Sequence, residues 1–138
     1  ASCAIPIAYR DYPIINDIAM TDGGVADSIP VIKAYEMGAR EITVILSQCL
    51  GYRKKPSKAP WLTKKMYKNY PALIQTTLNR ADFYNKSIDF IMNPPNDCKI
   101  NIIAPPANFK VGRTTKKFEI LNSGYNMGVD TAKAFLAK

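Results

Sequence analysis

The sequence predicts an α/β fold in which a mostly parallel sheet is flanked by helices. Two observations carry this. Glu41–Ser47 (E-I-T-V-I-L-S) is a short, β-branched, nearly continuous apolar run, the pattern of a parallel-sheet strand buried on both faces. A helix and a tight Gly38 turn precede it, which together make half of a βαβ unit.

In chain order, Pro13–Met20 is β-like through Ile14, Ile15, Ile18 and Met20, and ends at Thr21-Asp22-Gly23-Gly24. Paired glycines break regular structure and permit positive φ. Ser28 is placed to cap a helix with Pro30 in its first turn, running to about Met37, where Gly38 suits the position after its end. Gln48–Pro60 is a loop rich in Lys and Pro, and Trp61–Tyr70 a short helix stopped by Pro71. From Pro71 the apolar residues Ile74, Leu78, Ala81, Tyr84, Ile88, Ile91 and Met92 recur at spacings of mostly three and four. They predict a long amphipathic helix halted by Pro94-Pro95. Lys99–Ala104 (K-I-N-I-I-A) is a second apolar strand closed by Pro105-Pro106. After a polar loop with Val111, Gly112 and Arg113, Ser123–Leu136 reads as a last helix, with Met127, Val129, Ala132, Phe135 and Leu136 roughly on one face. Its Gly124 and Gly128 have the spacing of close helix packing.

Composition narrows the chemistry. The 138 residues are 47% hydrophobic and suit one folded domain, 1–138, with no internal repeat or dividing linker. No apolar run approaches a bilayer-spanning length. The opening Ala1–Tyr9 lacks the basic lead and the length of a secretory signal, and a first residue other than Met fits an excised or processed piece. The absence of histidine excludes Ser-His-Asp and Cys-His catalysis, His-ligated zinc and His pH switches from these residues. Cys3, Cys49 and Cys98 are odd in number and far apart. They predict reduced, buried thiols in the cytoplasm, with neither disulfide scaffold nor metal site.

The charge is concentrated. No acidic residue occurs from Ile42 to Ala81, and that window holds Arg53, Lys54, Lys55, Lys58, Lys64, Lys65, Lys68 and Arg80. These eight charges equal the whole net charge of +8. Tyr52, Trp61, Tyr67 and Tyr70 are interleaved with them. Such a segment suits an anionic membrane surface. It suits a nucleic-acid backbone with stacked bases equally well. The plain alternative is a solvated loop and helix face with tyrosines packed beneath.

Asp22 is the residue with a setting for chemistry. It follows a strand and precedes a glycine pair and a helix, and loops at strand ends collect active sites in α/β folds. D-G-G is also an ordinary turn sequence. The block Asp22-Gly23-Gly24-Val25, then Asp27, then Ile29-Pro30-Val31 resembles the D-G-G-V-x-D-N-x-P-V motif of the patatin-like phospholipases, with Ser28 in place of Asn. Ala1-Ser2-Cys3-Ala4-Ile5-Pro6 resembles the family's preceding A-S-x-A-x-P element, at matching spacing and with a hairpin-like stretch between. The strand Glu41–Ser47, the long helix, the strand ending in Pro-Pro and the last helix resemble the bacterial members.

The resemblance implies a three-layer α/β/α fold, seen here in part, and hydrolysis of lipid acyl esters by a Ser-Asp dyad without cofactor or metal. It implies that Asp22 is the dyad base. Asp27, nearer the helix start, would favour the helix dipole instead. The family's nucleophile lies in G-x-S-x-G behind a Gly-rich oxyanion loop. None of the six serines has Gly two places before it, and no Gly-rich loop occurs. The expectation is therefore the C-terminal part of such a domain, inactive alone, without the serine-bearing half. An aspartate in this role is a poor base in water and improves with burial. The basic segment Arg53, Lys54, Lys55, Lys58, Trp61, Lys64, Lys65 and Lys68 would face the membrane of a cytoplasmic protein peripheral to the inner membrane. The rival expectation is a nucleic-acid- or phosphate-binding module. A third is self-association through a sheet edge.

Overall fold

The computed structural model describes residues 12–112 and 114–137. The A-S-x-A-x-P element, Cys3 and Arg113 lie outside them. The chain forms two compact units. One takes the chain up to Lys33 together with Arg53–Asn93, and the other takes Ala34–Tyr52 with the chain from Pro94 onward.

The first unit begins with a hairpin of β1 (Ile14–Ile15) and β2 (Ile18–Ala19), paired Ile14 to Ala19 and Ile15 to Ile18. Asn16 and Asp17 turn it at φ 51° and 61°, the left-handed pair of a two-residue turn that matches strand twist. A 3-10 turn, Gly23–Val25, follows. Helix α1 (Val31–Glu36) lies where the chain passes between units. It begins three residues after Ser28, which is therefore not at the expected cap position; the Ser28 hydroxyl donates to Gly24 O at 2.8 Å.

Helix α2 (Pro60–Met66) is shorter than expected and buries no residue, while Tyr67 just after it is buried. Helix α3 (Pro71–Met92) realises the long amphipathic pattern. Ala81, Tyr84, Ile88 and Ile91 recur at three and four residues and are all buried, and Ser87 shares their face. Ile88, at 1% exposure, is the centre of this core. Burying such a side chain contributes about 1.5–3 kcal/mol. Thr77 Oγ1, also buried on α3, has no hydrogen-bond partner among the described residues.

In the second unit β3 (Glu41–Ile45) and β4 (Lys99–Ile103) pair in parallel, Glu41 opposite Lys99 and Ile45 opposite Ile103. Parallel strands need a long return, and the one between them carries α2 and α3. The register is marked at one end by Glu41, whose carboxylate accepts from Lys99 Nζ at 2.7 Å and Asn101 Nδ2 at 3.2 Å. The expectation of a strand covered on both faces fails. Val44 is buried, but Ile45 beside it is 76% exposed, so β3 alternates as a one-sided strand does. Among the described residues the sheets are two-stranded, one parallel and one antiparallel, so the class is mixed α/β without the extended parallel sheet.

Tyr35, Arg40 and Asp97 form a small cluster before the paired strands. The Tyr35 hydroxyl donates to Asp97 Oδ1 at 2.9 Å, Arg40 Nε pairs with Asp97 Oδ2 at 2.8 Å, and the guanidinium lies 4.3 Å from the Tyr35 ring centroid. Gly38, at φ 102°, makes the turn into β3 that its residue type predicts. Helix α4 (Phe118–Leu136) starts five residues before the expected Ser123. A Cβ on Gly124 would run into Val111 and Phe109, whereas one on Gly128 would meet nothing within 4 Å. Only the first glycine of the pair serves close packing. Of the two described cysteines, Cys98 is buried as expected and Cys49 half-buried, and both are free thiols.

Candidate functional site

Asp22 caps the 3-10 turn, and its Oδ1 accepts the Gly24 N–H at 2.8 Å. The turn is closed by Val25 N donating to Asp22 O at 3.0 Å and by Val25 packing inward. Neither glycine uses the positive φ that its residue type permits. Gly24 is required for a different reason. A Cβ there would lie 3.2 Å from Asp22 Oδ1, crowding the bond that orients the carboxylate. At Gly23 a Cβ would meet nothing within 4 Å among the described residues.

Gly24 O is the second anchor. It accepts from Ser28 Oγ and from Arg80 Nε, each at 2.8 Å. Arg80 lies 56 residues away on α3 and fixes the turn to the longest helix of the unit. Bonds from a charged donor contribute about 1.5–3 kcal/mol when shielded and less at a half-exposed site such as this. Asp27 Oδ1 accepts Ile29 N at 3.0 Å ahead of α1, a local turn role. Asp22 Oδ2 makes no hydrogen bond among the described residues, so the carboxylate has one oxygen engaged and one available. It is half-buried.

The structure divides the basic segment. Arg53 donates to Asn85 O at 2.9 Å and pairs with Asp89 Oδ1 at 2.6 Å on α3. Lys54 is joined to Asn85 through its backbone on both sides, at 2.9 and 3.0 Å, and its ammonium lies 4.6 Å from the Tyr84 ring centroid. Lys55, Lys58, Lys64, Lys65 and Lys68 are exposed. Trp61 is 66% and Leu62 42% exposed on α2. Tyr67 is buried, and Tyr70 meets Tyr12 edge to face at 5.3 Å. Burial, before the neighbouring Tyr12, raises the Tyr67 phenol above its ordinary range.

Sequence reasoning counted Arg80 only as a charge. Its work as the clamp of the Asp22 turn has no local signal, because the partner is a backbone carbonyl far away in the chain. A depression of about 260 Å³ lined by Asn108, Lys110, Glu119, Ser123 and Gly124 among others holds neither Asp22 nor the lysines of residues 53–68. Among the described residues no group of three His, Cys, Asp or Glu side chains is placed to hold a metal ion. No described helix is long and apolar enough to cross a membrane.

The chain is 29% identical to the uncharacterized protein YjjU of Escherichia coli strain K12 over 145 aligned residues, covering 99% of this chain and 39% of that protein. It thus spans well under half the length of this relative. No solved structure matches it. Residues 70–138, half of the chain, match the family described as Domain of unknown function (DUF6363), and the protein belongs to that family.

Proposed function

We propose that this chain supplies the general base of a serine acyl-ester hydrolase of the Ser-Asp type, with Asp22 as the base. The carrying observation is the half-engaged carboxylate. Oδ1 is held by the Gly24 N–H, while Oδ2, which has no hydrogen-bond partner among the described residues, would accept the proton. A base must be oriented by something other than its reaction partner, and the Gly24 bond does this.

In this reading the serine comes from a segment other than these residues, since none of the six serines here stands in a nucleophile elbow. Asp22 takes the hydroxyl proton as the serine oxygen bonds to the acyl carbon, and returns it to the departing alkoxide. Water then repeats the sequence on the acyl-enzyme. The 138 residues by themselves give no turnover, because they hold neither nucleophile nor oxyanion donors.

A fluorophosphonate probe tests this, because it labels only an activated serine. A polypeptide joining this chain to its serine-bearing segment should be labelled, and Asp22→Asn should remove the label. Labelling that is unchanged by Asp22→Asn rejects the assignment.

A further inference from the structure

We infer that the outward face of α2 is a docking surface for anionic lipid bilayers. The helix is Pro60-Trp61-Leu62-Thr63-Lys64-Lys65-Met66. At 100° per residue, Thr63 and the following Tyr67 fall on one arc, and these are its half-buried and buried positions. The opposite arc is centred on Lys65, with Trp61 and Leu62 on either side and Lys64 and Lys68 along one edge. All five are exposed, and Met66 also.

Three features select a bilayer as the occupant. First, charge is complementary and local. No acidic residue occurs from Ile42 to Ala81, so nothing in the segment itself neutralises Lys55, Lys58, Lys64, Lys65 and Lys68. Second, the face mixes these ammonium groups with an indole and two aliphatic side chains. That is the composition of an interfacial helix, with rings and alkyl groups at the headgroup boundary and lysines reaching the phosphates. Third, the tyrosines that follow α2 are poorly placed for stacking bases. Tyr67 is buried and Tyr70 is engaged with Tyr12, which leaves Trp61 as the free ring of this helix, beside Leu62 and Met66, for which a nucleic acid has no use. Arg53 and Lys54 are turned to α3 and drop out, so the surface is narrower than the charge pattern alone indicates.

The inference is independent of the hydrolase reading, because its test reads binding and leaves Asp22 untouched. Trp61 is the sole tryptophan of the chain and reports on its own surroundings. Vesicles of equimolar phosphatidylcholine and phosphatidylglycerol should shift Trp61 emission to the blue and co-sediment the chain, and pure phosphatidylcholine should do neither. Each lysine near an anionic surface contributes about fivefold in binding, so Lys64→Gln, Lys65→Gln and Lys68→Gln together should weaken it on the order of a hundredfold. Trp61→Phe should keep most of the binding, read by sedimentation, and Trp61→Ser should lose about tenfold. Because α2 buries none of these side chains, the variants should melt with the wild type. Three results would overturn the inference. They are wild-type protein that ignores the mixed vesicles, a triple variant that binds as wild type, and an oligonucleotide that displaces the vesicles at equal ionic strength.

Discussion

Helices α2 and α3 follow each other in one unit, and both open on a proline without a side-chain cap. Helix α3 buries five residues along 22, and α2 buries none along seven. A helix as short as α2 does not persist by its own propensity. Tyr67 just after it is buried and Thr63 half-buried, while its remaining side chains are exposed to differing degrees. Ala81, Tyr84, Ile88 and Ile91 on α3 are therefore explained by the core, whereas Trp61 and Leu62 on α2 stand largely outside it.

The comparison breaks most visibly at Ile88. Ile88→Ala should cost about 2–5 kcal/mol in urea unfolding, since the site is fully enclosed. Leu62→Ala and Met66→Ala should stay within about 0.5 kcal/mol of wild type. A Leu62→Ala variant as damaged as Ile88→Ala would show that α2 packs against something, and the contrast would be lost.

Helix α4 sharpens it, because it too buries no residue yet is closely packed at Gly124. Gly124→Ala should destabilise by about 1–3 kcal/mol, as its methyl has to displace Val111 and Phe109. Gly128→Ala should stabilise by up to about 1 kcal/mol, since it adds helix propensity in open space. Thermal melts of the pair separate the two, and equal effects would contradict the packing at Gly124.

The smallest effect is that of acid on the second unit. The Lys99 ammonium, then the Asn101 amide, holds Glu41 below the ordinary carboxylate range, and the Tyr35 hydroxyl chiefly holds Asp97 below it. The folded state thus favours the ionised carboxylates. Their stabilisation is present above the ordinary carboxylate range and is lost as pH falls through the lowered values. The melting temperature should fall more between about pH 5 and about pH 2 in the wild type than in a Glu41→Gln, Asp97→Asn variant. Parallel curves would show that these exposed pairs contribute nothing.

What the sequence disclosed divides along physical lines. Periodicity located α3, β3 and β4 within a residue or two, because a buried face imposes its spacing on the chain. It misjudged β3 as covered on both sides, since an exposed Ile45 is indistinguishable from a buried one in the run I-T-V-I-L. The start of α4 was missed because Phe118 and Leu121 are exposed and its first turn carries no side-chain cap. The turn at Asp22 was legible through its glycines, but what Gly24 does there was not, since it keeps a Cβ away from the carboxylate and does not use the positive φ that glycine permits. The Arg80 clamp and the turning of Arg53 and Lys54 onto α3 were not legible, because long-range partners leave no local pattern.

The central claim is that Asp22 accepts a proton through the oxygen that the Gly24 bond leaves available. Asp22→Asn tests it most directly, because Asn keeps an oxygen for the Gly24 N–H and so preserves the turn, but cannot act as a base. The measurement is the rate of p-nitrophenyl ester hydrolysis, with the melting temperature alongside, in a polypeptide that joins this chain to the serine-bearing segment the proposal requires. The account predicts a rate lowered by roughly a hundredfold to ten-thousandfold at an unchanged melting temperature. Wild-type turnover by an equally stable Asp22→Asn variant would contradict it, and would leave Asp22 as the cap of a turn.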